Sequence, residues 1–123
     1  MPNKKLKIGI IAAEHSGDRL GANLITALQN LQDLEIYGLG GPEVSSLGIA
    51  TPDGMDYQDL QVMGLIDPLL KLPKLLSIRK KLFHLFVQES IDIFIGVDSP
   101  DFNMFFHKKL KRIGVKTIQV VSP

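Results

Sequence analysis

The sequence predicts an α/β fold, a doubly wound parallel sheet of Rossmann-like type. Three observations carry this. Short apolar runs alternate with stretches whose apolar residues recur at helical spacing. Ile91–Val97 is almost wholly apolar, with Asp92 its polar exception, as befits a central parallel strand buried on both faces. The first apolar run leads through a polar turn into a helical pattern, the opening of a βαβ unit.

Taken in order, Lys7–Ala13 is the first expected strand, too short an apolar run for a helix. A helix follows from about Asp18 to Leu31, its apolar face drawn by Leu20, Leu24, Leu28 and Leu31, with Ser16 or Asp18 as candidate cap. Glu35–Leu39 is the second strand, ended by Gly40-Gly41-Pro42. Pro42 suits the first turn of a short helix to Leu47, which Gly48 stops. Ile49–Thr51 is a brief third strand, and Pro52–Asp59 a loop. Asp67–Glu89 carries the longest helical pattern, with Pro68 and Pro73 predicting a kink or two pieces. Strand Ile91–Val97, helix Pro100–Ile113 ended by Gly114, and strand Val115–Val121 complete the alternation. The chain stops at Ser122-Pro123 without a covering helix, so residues 1–123 are expected to form a single, incomplete domain of a longer design.

Composition narrows the function. A formal net charge of +1 provides no global field for nucleic acid, and no nucleic-acid partner is expected. The absence of cysteine removes disulfides and thiolate metal sites. The basic start MPNKKLK precedes an apolar run of about six residues, short of the roughly 7–15 of a signal-peptide core. No stretch reaches the ~20 apolar residues of a membrane span, so a cytoplasmic protein is expected.

Three stretches are candidates for function. Glu14, Ser16, Gly17 and Asp18 occupy the first strand-to-helix turn, where ligands of open α/β sheets sit and where free helix N–H groups suit a phosphate or a sugar hydroxyl. A capped helix with a polar turn explains the same residues. There is no GxxxxGK[ST] phosphate loop and no GxGxxG fingerprint. Asp98 ends the most apolar strand, beside that first turn in a parallel sheet, and is placed to act as general base; an N-cap aspartate is the other reading, which fits Asp101 better. The third stretch, Leu60–Phe86, interleaves apolar residues with Lys71, Lys74, Arg79, Lys80 and Lys81, as in an interfacial helix or an ordinary helix with a solvated basic face. Val62, Met63, Leu65 and Ile66 form an apolar loop ahead of it. His15, His84 and His107 lack metal-ligand spacing.

Five motifs in order resemble one family. AAEHSGDRLGANLI resembles the AGExSGDxxGAxLI opening of the lipid-A-disaccharide synthases, and GLGGPEVSSLGI resembles their GxGGPxMxxxG segment. LQVMGLIDPLLKLPKLL is similar to their LxVMGxxEVL stretch, with Asp67 where glutamate is usual. GVDSPDFN matches GIDxPDFN, and IGVKTIQVVSP matches GIKTIxYVSP. Ala13 stands in place of glycine, and His15 in place of a small residue.

The resemblance implies the N-terminal, acceptor-side half of a two-domain GT-B glycosyltransferase. Such an enzyme joins UDP-2,3-diacylglucosamine to 2,3-diacylglucosamine 1-phosphate (lipid X) through a β-1′,6 linkage and releases UDP. It implies Asp98 as base for the acceptor 6-hydroxyl, and Glu14, Ser16, Gly17 and Asp18 as lining the cleft near the transferred sugar. No metal or cofactor is implied. Val62, Met63, Leu65, Ile66, Leu69 and Leu72 become the surface that meets acyl chains at the inner membrane, peripherally. The family's C-terminal domain, which supplies most UDP contacts, lies outside the match, so the isolated chain is expected to be inactive. The alternatives are a non-catalytic lipid- or membrane-surface module and an unrelated flavodoxin-like protein.

Overall fold

The structure, a computed structural model, describes residues 5–12, 14–55 and 68–122, and for residues 68–72 the backbone alone. Ala13 and the apolar loop residues Val62, Met63, Leu65 and Ile66 lie outside the described residues, and Leu69 and Leu72 are placed only as backbone within a helix. The elements are β1 (Leu6–Ala12), α1 (His15–Gln29), β2 (Leu34–Gly40), α2 (Pro42–Ser45), α3 (Pro68–Gln88), β3 (Ile93–Val97), α4 (Pro100–Arg112) and β4 (Lys116–Val120).

The four strands are all parallel and stand in the order β2-β1-β3-β4. This is the doubly wound α/β sheet that the alternation predicts. Strand side chains alternate between two layers. Ile8, Ile10 and Ala12 of β1 face α1 and α2, packing with Ile25, Ile36, Val44, Ile95 and Val97. Ile11 faces the opposite layer with Leu39 and Phe94, against Ile78, Leu82 and Phe86 of α3 and Phe106 and Leu110 of α4. Three rings centre that layer: Phe86 and Phe106 each lie 5.5 Å from Phe94, and 5.8 Å from each other. The helical repeat of 78, 82 and 86 explains why α3 buries one stripe and leaves Lys74, Lys80 and Lys81 outside.

Several expectations shift. The third strand reduces to a single parallel bridge, Tyr37 to Ala50, because Gly48 and Pro52 leave room for little more. Counted as a rudimentary strand, it gives the Rossmann order 3-2-1-4-5. Helix α1 begins at His15 and ends at Gln29, so Leu31 falls beyond it and is 82% exposed, while Ile25 takes the buried position. Helix α3 runs as one element through Pro73, an interior proline that forgoes one ladder hydrogen bond. Leu76 of this helix is 48% exposed.

The β1–β2 contact depends on Gly38. Its φ is +139°, and a Cβ there would stand 1.9 Å from the Ile10 carbonyl oxygen. Gly48 also has positive φ, +89°, but open space around it. Gly38→Ala is therefore expected to cost about 3 kcal/mol or more in urea unfolding, beyond the ~1–2 kcal/mol of left-handed backbone strain that Gly48→Ala carries. Equal losses for the two variants would contradict the close approach.

Candidate active site

The strand order creates a switch point between β1 and β3, the two neighbours from which the chain leaves in opposite directions. Glu14 follows β1 and Asp98 follows β3, so both turns open on one crevice at the carboxyl ends of the strands. Two bonds join them directly. Ser16 Oγ donates to Asp98 Oδ2 at 3.3 Å, and Ser99 Oγ donates to Glu14 Oε1 at 2.8 Å. Gly17 makes the approach possible: a Cβ on it would stand 3.0 Å from Asp98 Oδ2 and 3.3 Å from Val97.

Asp98 is 7% exposed and sits in left-handed backbone, φ +53°, followed by Ser99 at +42°. Two consecutive non-glycine residues in this region cost about 1–2 kcal/mol each. The surroundings hold them there. The Asp98 N–H donates to Val120 O at 2.7 Å, and its carbonyl accepts from Asn103 Nδ2 at 2.7 Å and Gln119 Nε2 at 2.9 Å. Asn103 is fully buried, and fits because residue 96 is glycine; a Cβ there would stand 2.7 Å from its Nδ2. Gln119 is in turn 2.8 Å from His107 Nε2.

The Asp98 carboxylate accepts from the end of β4 as well. Ser122 N–H lies 2.7 Å from Oδ1, and Ser122 Oγ lies 2.9 Å from Oδ1 and 2.7 Å from Oδ2. The Ser122 amide and hydroxyl, assisted by Ser16, hold the carboxyl below the ordinary 3.8 of an aspartate, against the upward pull of burial. Asp98 is thus an ionised acceptor at neutral pH. It is not a helix cap: Ser99 holds the N-cap position of α4, and Asp101 lies exposed in the first turn.

The other predicted residues divide. Glu14 is the N-cap residue of α1 by position, but its side chain goes to Ser99 instead of the helix N–H groups. Glu14, His15 and Ser16 are exposed at the crevice, while Gly17 is buried. Asp18 does not cap α1. It is 3% exposed and points to the next turn, where Oδ2 accepts from Glu43 N–H and Oδ1 from Val44 N–H, both at 2.9 Å. It caps α2 from another element. Asn103, Gln119 and Ser122 have no counterpart among the residues singled out from the sequence; the GVDSPDFN and VVSP motifs contained Asn103 and Ser122 without assigning them a role. Among the described residues no group of three or more His, Asp or Glu side chains converges as a metal site would require.

The depressed Asp98 pKa carries a stability consequence. A carboxylate whose pKa is lower folded than unfolded stabilises the fold above the unfolded value, and that contribution is lost as pH falls through the folded value. In chemical denaturation against pH, the wild-type advantage over Asp98→Asn is expected to be full at pH 7 and to fade below about pH 4. A stability difference constant from pH 7 to pH 3 would contradict the bonding described.

Comparison with known proteins accords with this geometry. The lipid-A-disaccharide synthetase family matches residues 8–123. A lipid-A-disaccharide synthase of Vibrio vulnificus is 43% identical over 124 residues, covering 100% of this chain and 32% of the relative. One from Pseudoalteromonas translucida is 48% identical over 121 residues, 98% of this chain and 31% of the relative. One from Aliivibrio fischeri is 43% identical over 121 residues, again 98% and 31%. The chain therefore spans about a third of the length of the curated relatives it matches. With the match running from β1 through all four strands and both turns of the crevice, the chain belongs to the lipid-A-disaccharide synthetase family.

Proposed function

We propose that the chain is the acceptor-side, N-terminal domain of an inverting GT-B glycosyltransferase of lipid A biosynthesis. It transfers 2,3-diacylglucosamine from UDP-2,3-diacylglucosamine to lipid X. The observation that carries this reading is the convergence of Glu14, Ser16 and Asp98 at the switch point, in a chain of this family. Asp98 Oδ2 takes the proton of the acceptor 6-hydroxyl as that oxygen bonds to the anomeric carbon, and the C–O bond to UDP breaks with its electron pair leaving on UDP. Glu14, Ser16 and the Gly17 backbone line the sugar subsite. Asp18 supports them from behind by fixing α2 against α1. The UDP contacts come from the part of the family that this chain does not span, so the 123 residues alone are expected to give no turnover.

The depressed basicity of Asp98 limits its driving force for proton abstraction, which puts the weight on orientation and desolvation. Supplying the remaining roughly two-thirds of a relative in trans, with both lipid substrates, is expected to produce UDP release. Asp98→Ala is expected to lower the transfer rate by about 10²–10⁴-fold with the complex intact. Wild-type rates in that variant would refute the base assignment.

The same reading makes the chain peripheral at the inner membrane on the cytoplasmic side, through Val62, Met63, Leu65, Ile66, Leu69 and Leu72 and the neighbouring lysines. Among the described residues no helix is long and apolar enough to cross a membrane. The exposed Lys80 and Lys81 of α3 suit anionic headgroups, whereas Arg79 is half-buried with its guanidinium over the Phe105 ring. In liposome flotation with anionic vesicles, a triple Leu65→Ser, Ile66→Ser, Leu69→Ser variant is expected to lose binding. Unchanged flotation would remove the membrane role.

A further inference from the structure

We infer that Ser122, at the end of β4, is a positioning residue for Asp98: its amide and hydroxyl fix the carboxylate so that Oδ2 faces an incoming acceptor hydroxyl. The inference rests on the reading of Asp98 as the base. Its geometry is independent of that reading.

The amide N–H of Ser122 reaches Oδ1 alone, at 2.7 Å. It cannot rotate, so it sets which carboxylate oxygen is held by backbone. The hydroxyl lies within bonding distance of both oxygens, 2.9 Å from Oδ1 and 2.7 Å from Oδ2. A serine hydroxyl has one proton to donate. That proton can turn from Oδ2 to Oδ1 with the heavy atoms in place. Oδ2 then keeps only the long 3.3 Å bond from Ser16, whose hydroxyl has a second partner in Ser122 Oγ, also at 3.3 Å. An acceptor hydroxyl arriving at Oδ2 therefore replaces weak or movable donors, while Oδ1 stays saturated. The direct partners of the carboxylate among the described residues are all neutral. Glu14, at the N-cap position of α1, reaches the same turn through Ser99, and His107 of α4 stands behind Gln119. Asp101 lies exposed on α4. Among the described residues no cation bonds the carboxylate, so serine donors carry the orientation.

The test is carbon-detected NMR titration of the Asp98 carboxyl in the 123-residue chain, with the Ser122 amide proton followed in the same samples. In the wild type the amide proton is expected to shift with the same midpoint as the carboxyl. Ser122→Ala is expected to raise that midpoint, and Ser122→Thr to restore it. An amide proton that does not follow Asp98 ionisation would overturn the inference without recourse to any variant, as would an unchanged midpoint in a folded Ser122→Ala. In the two-part transfer assay, Ser122→Ala is expected to lower kcat with little change in the acceptor KM, and to move the acid limb of the pH profile upward with the NMR midpoint. An unmoved acid limb would overturn the positioning role. If Asp98→Ala keeps full transfer while the titrations couple as expected, the base assignment fails and the Ser122–Asp98 contact stands.

Discussion

The left-handed turn at Asp98 and Ser99 is the constraint on which the crevice depends. Ordinary extended backbone would carry the residue after β3 onward along the strand. The positive φ turns it back over the ends of β1 and β4 instead. Conformations of this kind persist when the surroundings over-determine them. Here they do so at each polar group of Asp98: the N–H is held by Val120, the carbonyl by Asn103 and Gln119, and the carboxylate by Ser122 and Ser16. Bonds to a charged group contribute about 1.5–3 kcal/mol each, comparable with the strain they offset.

Seen from this turn, the carboxyl rim of the sheet is stapled by two aspartates. Asp98 ties the ends of β3 and β4 to the first turn of α1. Asp18, two residues beyond Ser16, ties α1 to the N-terminus of α2 beyond β2. All four strand ends are thus linked through side chains whose hydrogen-bonding capacity is largely used within the protein. Among the side chains left exposed at the rim are Glu14, His15 and Ser16, which stand at the switch point where this class of sheet receives ligands. A rim held in this way needs little rearrangement to present a group to a substrate.

The arrangement also separates basicity from orientation in the Asp98 carboxylate. Burial alone would raise the Asp98 pKa and make a stronger base. The serine donors outweigh it and lower the pKa. The side chain gives up basicity for a fixed orientation and a permanent negative charge at the crevice. On the proposed reading of Asp98 as a general base, correct placement is the larger effect.

The alternation of elements, the buried character of β3, the stops at Gly48 and Gly114 and the location of both turns of the crevice were legible in the sequence. Apolar period, glycine and proline act on a few neighbouring residues, so a linear reading captures them. The motifs likewise placed Glu14, Ser16 and Asp98. Tertiary structure alone decided what those side chains do. Asp18 looked like a cap for its own helix, and its partners prove to be 25 and 26 residues away. The Asp98 carboxylate is governed by a serine 24 residues downstream and another 82 residues upstream. The register of parallel strands brings such residues together, and that register is set by packing of both sheet faces, which no local pattern encodes.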